Sequence, residues 1–194
     1  MEHVLLQTDR LILRRFTAAD LDNLFELDND PEVMRYINGG NPTSRVIIQN
    51  DILPAFLHYD EQYPAFGFWA AVDKLSSSFI GWFSFRPVSD SAGEIALGYR
   101  LHKAFWNKGY ATEGARALIH KGFTELGVQR IVAKTYEKNL ASRRVMEKVG
   151  MSLVRRFHLV PEDLLQADTY HAASLEVWEG DDVEYALERS EWQQ

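Results

Sequence analysis

The alternation of apolar and polar positions along the chain predicts seven β-strands. They span residues 10–16, 66–74, 79–88, 94–101, 130–138, 151–158 and 182–189. The three strands between residues 66 and 101 are separated only by the short polar breaks LSSS and SDSAG. This spacing is typical of an antiparallel meander, in which each strand pairs with the next one along the chain.

Helical periodicity covers much of the remaining sequence. The predicted helices span residues 17–30, 31–37, 44–59, 111–126 and 140–150. Thr17 is a suitable N-cap for the first helix, Pro54 is expected to kink the third, and Gly150 is a suitable C-cap for the last. The order of elements indicates an α/β fold, with a mixed, mostly antiparallel sheet of about six or seven strands flanked by helices. We expect one domain over residues 1–194, with an insertion-like segment at 159–181 before the last strand.

Composition and charge argue against several classes of protein. The 194 residues include no cysteine, which excludes disulfides, thiolate metal sites and a cysteine nucleophile. The six histidines lack metal-ligand spacing, so no metal is expected. A net charge of −7 argues against nucleic-acid binding. Without a signal-peptide pattern or an apolar run near the ~20 residues of a membrane helix, we expect a cytoplasmic protein without a membrane partner. A homodimer is left open.

Positive charge is concentrated in one segment of this acidic chain. Residues 100–148 contain eleven lysines and arginines and four glutamates, a net charge of +7, so the rest of the chain carries −14 within the total of −7. This distribution fits a local anion site in a protein that attracts a cationic partner. It fits solvated cations on two helices equally well.

The stretch FWNKGYATEG at 105–114 combines a cation, a glycine and the start of a predicted helix. A helix N-terminus leaves main-chain N–H groups unpaired and attracts anions, while Gly109 lets the main chain approach an oxygen closely. Lys108 adds a positive charge. The stretch therefore predicts a pyrophosphate-binding loop, and an ordinary glycine-containing helix cap is the alternative.

A second stretch, NLASRRVMEKVGM at 139–151, follows a predicted strand and opens a helix. Asn139 is placed to cap this helix or to reach across the sheet. Ser142, one turn later, could present its hydroxyl to the same cleft. A solvated helix serine is the alternative for Ser142.

Three segments in order resemble the GCN5-related N-acetyltransferases (GNAT), and specifically the Rim-type branch of ribosomal-protein N-terminal acetyltransferases. They are TDRLILRRFTAADLDNLFELDNDPEVMRYI, LGYRLHKAFWNKGYATEG and NLASRRVMEKVGM. The resemblance covers nearly the whole chain. It implies a GNAT fold whose central strands, at 94–101 and 130–138, splay apart to form a slot for the co-substrate acetyl-CoA.

The resemblance also implies roles for individual residues. Pantetheine would contact the main chain of Tyr99, Arg100 and Leu101, and Asn139 and Ser142 would face the thioester. Trp106 would also contact the cofactor, and the pyrophosphate would be bound by the N–H groups of Asn107, Lys108, Gly109, Tyr110, Ala111 and Thr112.

Three positions depart from the family pattern. Trp106 stands where the wider family has Gln or Arg, and Asn107 stands where the branch often has glycine. Met146 occupies the position of a tyrosine general acid in many relatives, and methionine cannot donate a proton. If an acid is needed, the resemblance leaves Ser142 or water for that role.

The absence of cysteine favours direct attack of an amine on the acetyl thioester in a ternary complex. Glu94, at the start of its strand, is the candidate general base, although relatives often carry the acidic residue where this chain has Ala96. An exposed strand-start glutamate is the alternative for Glu94. We expect the acceptor to be a protein N-terminal amine. A small-molecule amine acceptor and a non-catalytic acyl-CoA-binding module are the alternatives.

Overall fold

The computed structural model of the protein describes residues 4–88, 93–159 and 180–193, apart from the side chains of residues 60 and 61. Within these ranges eight strands form one sheet in the order β1-β2-β3-β4-β5-β6-β8-β7. The strands are β1 Val4–Gln7, β2 Leu11–Arg15, β3 Gly67–Asp73, β4 Phe79–Pro87, β5 Glu94–Leu101, β6 Arg130–Tyr136, β7 Ser152–Phe157 and β8 Asp182–Glu188. Neighbouring strands are antiparallel except β5 and β6, which are parallel.

The mixed, mostly antiparallel sheet and the meander of β3, β4 and β5 confirm the sequence prediction. The expected number of six or seven strands is wrong, because β1 is an eighth. Its four residues, VLLQ, do not alternate in polarity, and the strand pairs only with β2 at the edge of the sheet. Most of the insertion-like segment predicted at 159–181 lies outside the described residues.

The α-helices described are α1 Leu21–Asp28, α2 Pro31–Asn38, α3 Arg45–Ile47, α4 Leu53–Gln62, α5 Tyr110–Thr124 and α6 Leu140–Lys148. The helix predicted at 44–59 is interrupted by a π-helical turn, Ile48–Ile52, between α3 and α4. Pro54 explains this break, because proline has no N–H to donate and its ring collides with the carbonyl four residues earlier.

Helices cover both faces of the sheet, each over its own apolar cluster. One cluster packs α5 and α6 onto the central strands, and its members include Phe83, Leu97, Leu118 and Ile131. Gly114 brings α5 close to the sheet, since a Cβ at that position would lie 2.3 Å from the ring of Phe83. On the other face, α1 and α4 pack over β3 and β4.

The two parallel strands separate partway along their length. β5 pairs with β6 only where Glu94–Ala96 face Arg130–Val132. Beyond that point β5 stays paired with β4 as far as Leu101, and β6 stays paired with β8 as far as Tyr136. A slot therefore opens between the two strands, flanked on one face by α5 and α6.

Candidate active site

One wall of the slot is the unpaired edge of β5. Main-chain groups of successive strand residues point to opposite edges. The carbonyl of Glu94 accepts from the Val88 N–H on the β4 side, at 3.0 Å, whereas the carbonyl of Gly93 accepts from the Gln129 N–H on the β6 side, at 2.9 Å. By this alternation, the main-chain groups that face the slot past the ladder are the carbonyl of Leu97 and the N–H and carbonyl of Tyr99, because the pairing of Ala96 with Val132 takes up the Leu97 N–H.

The other two residues predicted to contact pantetheine are placed differently. The carbonyl of Leu101 faces the slot side and accepts a 2.7 Å hydrogen bond from the indole N–H of Trp106. Arg100 turns its carbonyl towards Gly81 of β4, since a Cβ on Gly81 would lie 2.1 Å from that oxygen. The Arg100 side chain is buried and pairs with Asp28 of α1 at 2.6 Å. This position gives no support to the contact predicted for Arg100.

The loop between β5 and α5 presents a row of main-chain donors. A short 3₁₀ turn, Lys103–Phe105, leads to Asn107 and Gly109, both with left-handed backbone, at φ +59° and +85°. Glycine adopts this conformation without strain, and asparagine tolerates it better than most residues. None of the six N–H groups of residues 107–112 donates a hydrogen bond to any part of the chain that the structure describes. A concave row of N–H groups at a helix N-terminus is an anion site.

Arg10, just before β2, fastens this loop from outside. Its guanidinium donates to the main-chain carbonyl of Lys108 at 2.9 Å and to the carboxylate of Glu113 in the first turn of α5 at 2.7 Å. It also lies over the ring of Tyr110, 4.3 Å from the centroid. Thr8 adds a 2.5 Å hydrogen bond to Glu113. Burial opposes ionisation of Glu113, and the hydrogen bonds from Thr8 and Arg10 outweigh it, so the pKa of this carboxyl is lowered.

The end of β3 provides a second attachment. The hydroxyl of Tyr110 donates to Asp73 at 2.7 Å, and the same carboxylate accepts the N–H and the hydroxyl of Ser76, each at 2.8 Å. The Ser76 N–H and the Tyr110 hydroxyl lower the pKa of Asp73 to about 2. The start of α5 is thus anchored at both β2 and β3, while the side chain of Lys108 stays exposed.

The opposite wall of the slot carries the predicted Asn139 and Ser142. Asn139 caps α6 through its side-chain oxygen, which accepts the Ser142 N–H at 3.2 Å, and its amide donates to Thr135 of β6 at 3.2 Å. The hydroxyl of Ser142 lies 3.0 Å from that of Tyr99, and the Tyr99 hydroxyl also donates to the Ser142 carbonyl at 3.1 Å. Met146 is buried one turn further on. The sequence reasoning assigned Tyr99 only a main-chain contact and missed its hydroxyl, because no short motif links the two residues.

Carboxylates lie on the opposite face of the sheet from Ser142. Strand alternation and register place Glu94 and Asp182 on that face, Glu94 beside Arg130 at the start of β6 and Asp182 beside Tyr136 at its end. Glu94 pairs with Arg130, Oε2 to Nε, at 3.0 Å. Burial raises the pKa of Asp182 to about 6, against the opposing charges of His158 and Lys134. A carboxyl with such a pKa suits proton transfer near neutrality, and no sequence motif pointed to it.

Comparison with known proteins identifies the family to which this slot and donor row belong. A family profile described as "Acetyltransferase (GNAT) domain" matches residues 10–152. The chain belongs to the GNAT acetyltransferases. It is 31% identical over 195 residues to the FsC-acetyl coenzyme A-N(2)-transacetylase of Aspergillus fumigatus, covering 96% of this chain and 77% of that protein.

Two solved structures share the GNAT fold with this chain. A GNAT-family acetyltransferase from Bacillus anthracis superposes with a TM-score of 0.74 at 24% identity, over 96% of this chain and 99% of that one. RimL, the ribosomal L7/L12 alpha-N-protein acetyltransferase solved with coenzyme A, superposes with a TM-score of 0.75 at 16% identity, over 96% and 98%. At these identities the likeness shows the fold alone and not the Rim-type branch.

As a GNAT acetyltransferase, the protein uses acetyl-CoA as co-substrate and transfers its acetyl group to an amine. Within the described ranges there is no cluster of three or more metal-ligating side chains. Among the described helices, none combines the length and the apolar character that crossing a bilayer requires.

Proposed function

We propose that the acceptor of the acetyl group is an α-amino group. Two observations support this assignment. The A. fumigatus relative is named for an N(2) acceptor and RimL for an alpha-N acceptor. The carboxyl of Asp182, on the face of the sheet opposite to α5 and α6, has a pKa of about 6. The acetyl transfer itself is supported by the slot between β5 and β6 and by the N–H groups of residues 107–112, which donate no hydrogen bond within the described residues.

We infer that acetyl-CoA binds along the slot from the start of α5. The N–H groups of residues 107–112 would hold the pyrophosphate, with Lys108 as an added cation. The free main chain of Leu97 and Tyr99 would pair with pantetheine and bring the thioester to Ser142. Since α5 and α6 cover the face of the sheet on which Ser142 lies, the amine would enter from the opposite face, which carries Glu94 and Asp182.

Holding amine and thioester in one slot replaces a bimolecular encounter, which is a large part of the rate enhancement expected for direct transfer. Asp182, directly or through water, would take the proton of the amine, and Glu94 is the second candidate for this role. A main-chain N–H on the free edge of β5 would stabilise the oxyanion of the tetrahedral intermediate. The leaving thiol has a pKa of about 8.5, so a hydrogen bond from Ser142 is sufficient to help its departure.

The pKa of the acceptor amine favours an α-amine over a lysine side chain. An α-amine has a pKa of about 7.7–8.0 and a lysine amine about 10.4. Proton transfer to a carboxylate whose pKa is about 6 is uphill by roughly 2 units for the first amine and roughly 4 for the second. The difference of about 3 kcal/mol, or about 100-fold, comes from the two amines and would be the same with any base; the pKa of Asp182 brings the smaller of the two barriers within reach near neutrality.

A matched pair of lysine derivatives tests the proposal. Nε-acetyl-lysine amide offers only the α-amine, and Nα-acetyl-lysine amide offers only the side-chain amine. Release of free coenzyme A from acetyl-CoA is measured with each, and with short peptides whose N-termini are free or acetylated. We expect kcat/KM at least tenfold higher for the α-amine. Equal rates, or a preference for the ε-amine, would overturn the assignment, and activity on peptides alone would identify a protein N-terminus as the acceptor.

A further inference from the structure

A chain of hydrogen bonds crosses the slot where its two walls have separated. It runs from Thr135 on β6 to Asn139, from Asn139 to Ser142, and from Ser142 to the hydroxyl of Tyr99 on β5. Strands β5 and β6 no longer pair at this level, because their ladder ends at Ala96 and Val132. These hydrogen bonds therefore connect the two walls beside the space predicted for the thioester.

The hydrogens available at Tyr99 and Ser142 allow two arrangements. The Tyr99 hydroxyl has one hydrogen and two acceptors within reach, the carbonyl of Ser142 at 3.1 Å and its Oγ at 3.0 Å. When the carbonyl takes that hydrogen, Ser142 donates its own to the Tyr99 oxygen. When Oγ takes it, the Ser142 hydrogen is released towards the slot.

We propose that Tyr99 is a positioning residue that turns the Ser142 hydroxyl towards the sulfur of acetyl-CoA, so that Ser142 stabilises the departing thiolate. This role rests on the proposed place of Ser142 beside the thioester. A hydroxyl that already accepts a hydrogen bond is a stronger donor, so the pair stabilises a thiolate better than serine alone. It also assigns chemistry to this wall of the slot, where Met146 cannot supply a hydroxyl.

Protons and electrons balance without oxidation or reduction. The amine nitrogen forms a bond to the acetyl carbon, and collapse of the intermediate breaks the carbon–sulfur bond with its electron pair leaving on sulfur. The proton removed from the amine is the one that the thiolate finally takes up, through water. Tyr99 and Ser142 keep their own protons, and burial, which raises the pKa of Tyr99, keeps its phenol protonated throughout.

The pKa of the thiol of bound coenzyme A measures this stabilisation without any acceptor. The chain has no cysteine, so thiolate absorbance in the ultraviolet comes from the ligand, after subtraction of a pH titration of the protein alone. The variants are Tyr99→Phe, which keeps the ring packed near Phe83, then Ser142→Ala and the double variant. Tyr63→Phe, at the end of α4, makes the same chemical change away from the slot.

We expect the thiol pKa of bound coenzyme A to rise by about 1 unit in Tyr99→Phe and in Ser142→Ala, with no further rise in the double variant. Tyr63→Phe should match the wild type. With acetyl-CoA and an acceptor, Tyr99→Phe should lower kcat about tenfold and leave KM for acetyl-CoA within twofold.

An unchanged thiol pKa in Tyr99→Phe, with weaker binding of coenzyme A instead, would show a bridge that only shapes the slot and would overturn the proposal. Because no amine takes part in the titration, an error in the assignment of the acceptor leaves this result intact.

Discussion

Loss of the Arg10 side chain should weaken acetyl-CoA binding although Arg10 is not placed on the predicted ligand. Arg10 joins the segment before β2 to the donor loop through the Lys108 carbonyl, Glu113 and the ring of Tyr110. Arg10→Ala removes all three contacts. The loop would then have to become ordered when the ligand binds, and the cost of that ordering would appear as lower affinity.

The contacts of Arg10 set the size of the effect. Its side chain is 43% exposed, so the pair with Glu113 is worth about 1 kcal/mol at most after solvent screening. The hydrogen bond to the Lys108 carbonyl adds about 1 kcal/mol, and the contact with Tyr110 about 0.5 kcal/mol. If most of this sum is lost from the free energy of acetyl-CoA binding, the dissociation constant for acetyl-CoA becomes about 10- to 30-fold higher.

Calorimetric titration with acetyl-CoA measures the change directly. Arg116→Ala is the matched control, since Arg116 lies on α5 beyond the loop and donates to the carbonyl of Lys148 at 3.2 Å. Its affinity should stay within twofold of the wild type. If Arg10→Ala bound acetyl-CoA as tightly as Arg116→Ala, the loop would be ordered without the Arg10 contacts, and this prediction would be refuted.

Three further predictions concern carboxylates. Asp182→Asn should raise the free energy of unfolding at pH 7.5 by about 1 kcal/mol, because folding raises the pKa of Asp182 to about 6 and its charged form, partly exposed, is unfavourable above that pH. Urea unfolding at pH 7.5 should show this gain, and urea unfolding at pH 4 should not. Asp182→Asn should also lower kcat, whereas the kcat of Glu94→Gln should stay within about threefold of the wild type, because Arg130 already pairs with the Glu94 carboxylate. If pH–rate profiles showed the larger loss of kcat in Glu94→Gln, Glu94 would be the base. Asp28→Ala should destabilise the fold by about 3 kcal/mol in urea unfolding, since it takes the carboxylate from the buried Arg100, and a loss below 1 kcal/mol would refute that account.

The parts of the site that depend on local sequence could be predicted from it. Gly109 and the helix that follows occur together in FWNKGYATEG, and the structure places a left-handed Gly109 directly before α5. Asn139 was predicted at the start of a helix and caps α6. In both cases the residue and the helix that it precedes are neighbours in the chain, so a short stretch of sequence is enough to predict where the helix begins.

The parts that depend on distant contacts could not be predicted. Arg10 and Glu113 are 103 residues apart, and Tyr99 and Ser142 are 43 apart, so only the folded sheet brings each pair together. The main-chain contact predicted for Arg100 was implied by the family resemblance, which does not give the direction of each residue; strand alternation turns the Arg100 side chain to the face where Asp28 of α1 lies.

The most direct test of the central claim is the affinity of acetyl-CoA for the wild type, Gly109→Asn and Gly109→Asp. Asparagine and aspartate have nearly the same size and similar tolerance of the φ of +85° at this position, so the two variants differ mainly in charge. If the N–H groups of residues 107–112 hold the pyrophosphate, the wild type binds at micromolar concentrations and Gly109→Asn within about tenfold of it. Gly109→Asp binds about tenfold more weakly than Gly109→Asn, since the Arg10 guanidinium, 3.3 Å from a Cβ at position 109, screens part of the added charge. Equal affinities of the two variants, or no binding by the wild type, would contradict the account.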